Sequence, residues 1–352
     1  MFISVKNIFC ALLILGLLAN AICLIVEPDE AYIDSRAHLG YVKEIIEGTY
    51  NFSFWRFPLY YVISAPVFLI FPMEYPFTKI IPALLTIGIT LVGFFLFRNL
   101  FKDNWVIASA FLANYSWLTR YGSVNYTGQL AAFLFLLFIY FSVTKREILR
   151  IDCIFLLFLA KLNAIPLIVA SFFVENDKIK EPVKWGLIHC LPFSIIGVWL
   201  MRSFANNNLL NPLIVFVSFF DFPPATAFMK FALLWDFNYL ACAFIFMLMI
   251  LPTFYVIVKG FRVEQKCAYY FTVLVSLIAL VSFFASVAVT PPSTIDWRYT
   301  IPVLPLVAIF FARGFLLLPE NKRLLPLISF ILYCGFSFTL VVASSLSYAG
   351  II

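Results

Sequence analysis

The ionisable residues of this chain are few and they cluster. Only 12% of its 352 residues are charged, yet residues 27–57, EPDEAYIDSRAHLGYVKEIIEGTYNFSFWRF, bring Asp29, Glu30, Asp34, Arg36, His38 and Arg56 close together. From Asp29 to Glu47 the spacing predicts an amphipathic helix. Leu39, Val42, Ile45 and Ile46 share one face, and Glu30, Asp34 and His38 form an i, i+4, i+8 row beside it. Gly48 predicts the helix stop. Such a helix lies along a bilayer surface and offers carboxylates at headgroup level. An Asp34–His38 pair this near the membrane is costly unless it is paired or used. Its residue types suit proton transfer without naming a reaction.

Three further places carry polar groups in apolar surroundings. Thr119 to Thr127 is an aromatic and polar break that includes Tyr121, and it reads equally as an interfacial aromatic belt or as part of a binding surface. Thr290 to Tyr299 ends in Asp296, Trp297, Arg298 and Tyr299 directly before an apolar run. Arg298 suits either a snorkelling anchor or a bidentate phosphate contact. Lys161 and Asn163 lie inside the apolar run Ile151 to Val174, where a lysine needs a partner, a water-filled cavity or an end to snorkel toward.

The elements that must position these groups follow from composition. The chain is 64% hydrophobic and 19% aromatic, where soluble chains are about half apolar and about a quarter charged. That excludes a water-soluble domain and predicts an all-α polytopic membrane protein. A crossing needs about 20 apolar residues. Runs near 8–26, 58–72, 77–97, 105–118, 128–143, 152–174, 184–200, 209–222, 238–258, 268–290, 300–318 and 325–346 supply roughly that many residues each. The run at 58–72 is short and bracketed by Pro58 and Pro72. Placing it in the interface puts Arg98, Lys102, Lys145, Arg146, Arg150, Lys259, Arg262, Lys266, Lys322 and Arg323 on the cytoplasmic side, as the positive-inside tendency requires. Lys178, Lys180 and Lys184 are the misfit.

The expectation is therefore roughly eleven crossings, one domain over 1–352, a retained signal anchor with a cytoplasmic N-terminus, and 27–76 as the first loop on the outer side. The net charge of +6 reads as topology and not as nucleic-acid binding. Seven scattered cysteines and two histidines predict neither a zinc site nor a disulfide framework. Asn51, Asn114 and Asn125 have the glycosylation-acceptor pattern, and Asn51 and Asn125 fall on the outer side.

In this setting the residues resemble a known family. The chain is similar to the endoplasmic-reticulum glucosyltransferases of the polytopic GT-C type, which use dolichyl-phosphate glucose to add the terminal alpha-1,2-linked glucose to the lipid-linked oligosaccharide. Pro28, Tyr32, Asp34 and His38 match the order of that family's first lumenal loop, and Glu47-Gly48 matches its subsequent Glu-Gly or Lys-Gly. Pro58-Leu59-Tyr60-Tyr61 resembles its Pro-Gly-x-Tyr, and Lys79 its basic residue at the start of the next crossing. Lys161-Leu162-Asn163-Ala164-Ile165 echoes Arg-Gln-Thr-Asn-Ile. Asp296-Trp297-Arg298-Tyr299 with Ile301-Pro302 resembles Glu-x-Arg-Tyr with Ile-Leu-Pro. The chain departs from the family at Ser35, where a glutamate is usual, at Ser123, where an aspartate is usual, and in being shorter.

The resemblance implies a GT-C bundle in the endoplasmic-reticulum membrane with a lumenal site and no metal or other cofactor. Its partners are a dolichyl-phosphate sugar, a lipid-linked oligosaccharide acceptor and membrane lipid. Inversion at the anomeric carbon implies one in-line displacement, and a phosphate leaving group needs cations where a leaving alkoxide needs a proton. Asp34 is then the base, with Glu30 or Asp29 in that role if the dolichyl-phosphate-mannose-dependent enzymes of GPI-anchor or oligosaccharide assembly are the better match through Pro28-Asp29-Glu30. His38 orients the acceptor or pairs with Asp34. Arg298, then Arg36 and Arg56, meet the donor phosphate, and Tyr299, Asp296, Tyr121, Lys161 and Asn163 bind substrate. A transporter or flippase is the rival from another class, predicting internal repeats and midplane polar groups.

Overall fold

Backbone amides in hydrocarbon must be satisfied within their own segment, so the apolar runs fold as helices. A computed structural model describes residues 4–26, 33–50, 58–115, 119, 122–160, 251–264, 267, 270–271 and 303–351. The described residues contain helices and no strand. In order these are α1 (Val5–Val26), α2 (Ile33–Ile46), α3 (Leu59–Ile70), α4 (Ile80–Phe101), α5 (Trp105–Ala113), α6 (Thr127–Val143) and α7 (Glu147–Ala160), then α8 (251–263), α9 (Leu304–Leu316) and α10 (Leu324–Tyr348).

Three helical stretches among the described residues are long and apolar enough to cross a membrane: Val5–Val26, Phe77–Ala113 and Leu324–Ser347. This is an all-α membrane protein. The second stretch is a hairpin. Phe94 meets Trp105 with ring centroids 4.8 Å apart, and a Cβ on Gly93 would lie 3.1 Å from Leu112, so α5 runs back along α4. α3 has 12 residues, about 18 Å of helix, and falls short of the roughly 30 Å hydrocarbon core. Several of the runs expected to cross lie wholly or partly in 161–250 and 272–302, outside the described residues.

Lipid gives helices no hydrophobic reason to associate, so close packing and interhelical hydrogen bonds hold them together. An aromatic core joins α1, α5, α9 and α10. Phe9 packs on Phe315 at 5.2 Å, Phe111 on Phe311 at 4.9 Å, and Phe311 on Phe330 at 4.8 Å between centroids. Asn114 ends α5 and donates from Nδ2 to the Leu12 carbonyl at 2.7 Å, while Ser337 donates to the Asn114 carbonyl at 3.0 Å. Asn20 donates to the Ala113 carbonyl at 3.1 Å. α8 and α9 touch backbone to backbone. A Cβ on Gly260 would fall 1.8 Å from the Phe310 oxygen, and one on Gly314 1.9 Å from the Val256 oxygen.

The two ends of the bundle differ in chemistry. At one end the turns are basic: Lys102 and Lys145 reverse the chain with φ of 49° and 57°, Arg313 pairs with Glu264 at 2.6 Å and lies 5.3 Å over the Phe101 ring, and Arg323 donates to the Leu318 and Leu316 carbonyls. At the other end α2 and α3 lie against the starts of α4 and α6. α2 packs inward with Val42 fully buried and Leu39, Ile45 and Ile46 partly so, the face the spacing predicted. Gly48, at φ +70°, ends it in a Schellman turn: the Gly48 amide bonds the Ile45 carbonyl and the Thr49 amide the Glu44 carbonyl.

Candidate functional site

The end opposite the basic turns gathers His38 and several tyrosine, asparagine, serine and lysine side chains in one cluster. α2 carries His38 one turn after Asp34, and α3 opens with Tyr60 and Tyr61. His38 Nδ1 and the Tyr61 hydroxyl share a 2.9 Å hydrogen bond. The His38 ring also lies within about 6 Å of three tyrosine rings, with centroid distances of 5.6 Å to Tyr61, 5.8 Å to Tyr126 and 6.1 Å to Tyr60. Tyr41 and Tyr50 extend this wall, at 5.3 and 5.7 Å from Tyr61.

Behind the tyrosines the segment Gly122–Tyr126 is held from three helices. Lys79, immediately before α4, donates from Nζ to the Ser123 carbonyl at 2.8 Å. Asn125 donates from Nδ2 to the Thr78 carbonyl at 3.1 Å, accepts from the Tyr60 hydroxyl at 2.9 Å, and donates from its backbone amide to Ser35 Oγ at 3.2 Å. Gln129 in the first turn of α6 donates to the Gly122 carbonyl at 3.2 Å. Lys79 is 7% exposed, Ser35 1%, and Asn125 and Ser123 not at all. The start of α4 tolerates Pro82 because amides in a first helical turn have no partner within the helix.

A lysine buried to this degree beside an apolar helix is a candidate functional residue. Its charge adds to the positive end of the α4 dipole. An imidazole hydrogen-bonded to a phenol, an aromatic wall and a buried cation together provide proton transfer, stacking for a ring-shaped substrate and stabilisation of an anion. Among the described residues no three His, Cys, Asp or Glu side chains converge as a metal site would require.

Of the residues singled out from the sequence, His38 lies at the centre of this cluster. Asp34 is in the first turn of α2, and Arg36 sits on that helix's exposed side. Asp29, Glu30, Arg56, Tyr121, Lys161, Asn163, Asp296, Arg298 and Tyr299 lie outside the described residues. Two departures from the resembled family fall inside the cluster, since Ser35 Oγ accepts from the Asn125 amide and Ser123 supplies the carbonyl that Lys79 binds. The break at 119–127 is no exposed aromatic belt at its described positions: Ser123, Val124, Asn125 and Tyr126 are buried. Asn125, which the acceptor pattern placed on the outside, has its carboxamide engaged at both ends.

Sequence patterns mark Lys79 only as the basic residue at the start of the next crossing and do not single out Asn125, Tyr126 and Gln129 as site residues. Lys79 carries a signal, a charge between Pro76 and Pro82 at the head of an apolar run, the same argument that draws attention to Lys161. Asn125 carries none, because its role depends on Tyr60 and Thr78, which are far away in sequence. Compared with known proteins, the chain matches no family model and no curated sequence.

Proposed function

We propose that this chain is an inverting glycosyltransferase that moves glucose from dolichyl-phosphate glucose to a lipid-linked oligosaccharide, forming the terminal alpha-1,2 linkage on the lumenal side of the endoplasmic-reticulum membrane. The observation that carries the reading is Lys79, a buried cation bonded to the Ser123 carbonyl in the segment whose Tyr126 packs on the His38 ring. A membrane-embedded donor with a phosphate leaving group needs positive charge at the bilayer surface and one base.

In this mechanism Asp34 takes the proton of the acceptor hydroxyl as that oxygen attacks the anomeric carbon. The bond from that carbon to the phosphate oxygen breaks, and dolichyl phosphate departs with the electron pair. Lys79, with Arg298 and then Arg36 and Arg56, meets the charge that develops on the phosphate. His38, oriented by Tyr61, positions the acceptor, and the tyrosine wall stacks on sugar rings. Tyr299, Asp296, Tyr121, Lys161 and Asn163 complete substrate binding.

The test is transfer by the purified full chain in lipid, with dolichyl-phosphate glucose and dolichyl-phosphate mannose offered in parallel to defined lipid-linked acceptors. Glucose transfer is expected, reduced about a hundredfold or more in Asp34→Asn, the scale of a lost general base. Mannose transfer would assign the chain to the mannose-dependent GT-C enzymes. No transfer from either donor would overturn the reading.

A further inference from the structure

The basic end of the bundle brings two cations together in a way that is independent of the transferase reading. α9 stops at Leu316, and among the described residues no backbone amide takes the carbonyls of Leu316, Leu317 and Leu318. Side chains take them instead. Lys259 on α8 donates from Nζ to the Leu317 carbonyl at 3.3 Å. Arg323, at the head of α10, donates from Nε to the Leu318 carbonyl at 2.8 Å and from Nη2 to the Leu316 carbonyl at 3.0 Å. Three consecutive carbonyls lie within one helical turn, so the ammonium and the guanidinium meet at one helix end. A separate contact sets them level. Thr253 and Ser329 share a 2.9 Å hydrogen bond between α8 and α10, and Lys259 and Arg323 each stand about 9 Å of helix from it toward the basic end.

Capping explains these hydrogen bonds, because the last carbonyls of a helix have no amide partners within it. It leaves the charge unmatched. Among the described residues neither Lys259 nor Arg323 has a carboxylate within ion-pair distance. Glu264, the next acid after Lys259, is held by Arg313 from both Nε and Nη2 at 2.6 Å. Glu320, just before the α10 turn, is exposed and forms no ion pair. Arg262 and Lys322, both exposed, add further positive charge beside the pair. Lys259 and Arg323 are themselves partly exposed, as is the helix end between them at Leu317. Exposed apolar side chains adjoin the cations on both helices: Phe254 and Tyr255 about one turn before Lys259, and Leu324, Leu325 and Ile328 directly after Arg323. α10 is long and apolar enough to span a membrane, so that surface faces lipid. Unmatched cations bordering such a surface suit a ligand with an anion at one end and hydrocarbon at the other, the way basic pockets between membrane helices hold phospholipid head groups. A soluble phosphate would leave the apolar side unused.

We propose that Lys259 and Arg323 bind the phosphate of an anionic glycerophospholipid whose chains lie on the exposed apolar side chains of α8 and α10.

The experiment uses the full chain in phosphatidylcholine nanodiscs at physiological salt. The probes are a trace of photoreactive phosphatidylglycerol and, separately, photoreactive phosphatidylcholine with the same chains, whose choline cancels the phosphate charge. Labelling of α8 and α10 peptides by phosphatidylglycerol is expected at about tenfold or more above phosphatidylcholine. Arg323→Gln, which keeps a donor for the carbonyls and removes the charge, should weaken labelling about fivefold. Lys259→Met should do the same and serves even where Arg323→Gln does not fold. Lys145→Gln, in another turn at the same end, should label as wild type. Equal labelling by the two lipids, or wild-type labelling in both Arg323→Gln and Lys259→Met, would overturn the proposal. So would an equal loss in Lys145→Gln, which marks diffuse attraction to the whole basic face, or displacement of the label by inorganic phosphate, which marks a site for a soluble anion. None of these readouts involves sugar transfer, whose proposed site lies at the opposite end.

Discussion

The Tyr61 hydroxyl and His38 Nδ1 lie 2.9 Å apart and tie the first turn of α3 to the middle of α2. The bond fixes which imidazole nitrogen faces Tyr61, and so the orientation of the ring. Tyr61→Phe keeps the ring stack and removes this bond. One neutral hydrogen bond is worth about 1 kcal/mol, so transfer should fall roughly fivefold with the thermal transition nearly unchanged. His38→Ala should fall further. Transfer by Tyr61→Phe equal to wild type would show that His38 needs no such orientation.

Lys79 separates the proposed site from simple packing. Lys79→Met keeps most of the side-chain volume and removes the charge, and the expected result is a loss of about a hundredfold in transfer, the scale of removing one group that stabilises a developing anion. Lys259, at the other end of the bundle with its Nζ 3.3 Å from the Leu317 carbonyl, is the control, and Lys259→Met should leave transfer unchanged. Equal losses in both variants would indicate that the charges act on folding or insertion and not on a phosphate.

How far the sequence foretold this arrangement depends on how local each cause is. The α2 face of Leu39, Val42, Ile45 and Ile46 follows from helical periodicity, and its stop follows from Gly48, whose φ of +70° is costly for other residues. The segregation of basic turns to one end follows from counting Lys and Arg between apolar runs. The cluster around Asn125 was not legible, because a sequence shows the acceptor pattern Asn125-Tyr126-Thr127 and not that Tyr60, Thr78 and Ser35 converge on it. The hairpin of α4 and α5 was legible as two runs, but the meeting of Lys259 and Arg323 at the end of α9 was not, since it depends on how α8, α9 and α10 pack.

The crossing of α8 and α9 gives a packing test. Gly260 and Gly314 each meet the opposing backbone where a methyl group would sit within 2 Å of a carbonyl oxygen (1.8 and 1.9 Å), and backbone cannot rotate away as a side chain can. Small residues at such contacts let membrane helices approach. Gly314→Ala should lower stability by about 3 kcal/mol, the upper range for overpacking, read as a fall in the thermal transition of the detergent-solubilised chain. Gly335, with nothing near its Cβ direction, is the matched control, and Gly335→Ala should be neutral or slightly stabilising because alanine is the better helix former.

The basic turns themselves carry conformational cost. Lys102 ends α4 with a positive φ of 49° and Lys145 follows α6 at φ 57°; a left-handed residue with a side chain costs about 1–2 kcal/mol. Glycine would relieve the strain there, whereas a lysine just past a helix end puts positive charge near the last carbonyls and biases the side of the membrane on which a turn is left during insertion. Lys145→Gly should therefore raise the thermal stability of the folded chain, by about 1 kcal/mol, while weakening topological selection during insertion. A protease-protection assay with a tag after α7 reads the second effect. The expected outcome is a more stable purified protein and a small fraction of inverted chains, because Arg146 and Arg150 still hold the turn. A Lys145→Gly protein that is less stable than wild type would show that the lysine's charge at this turn outweighs its backbone strain.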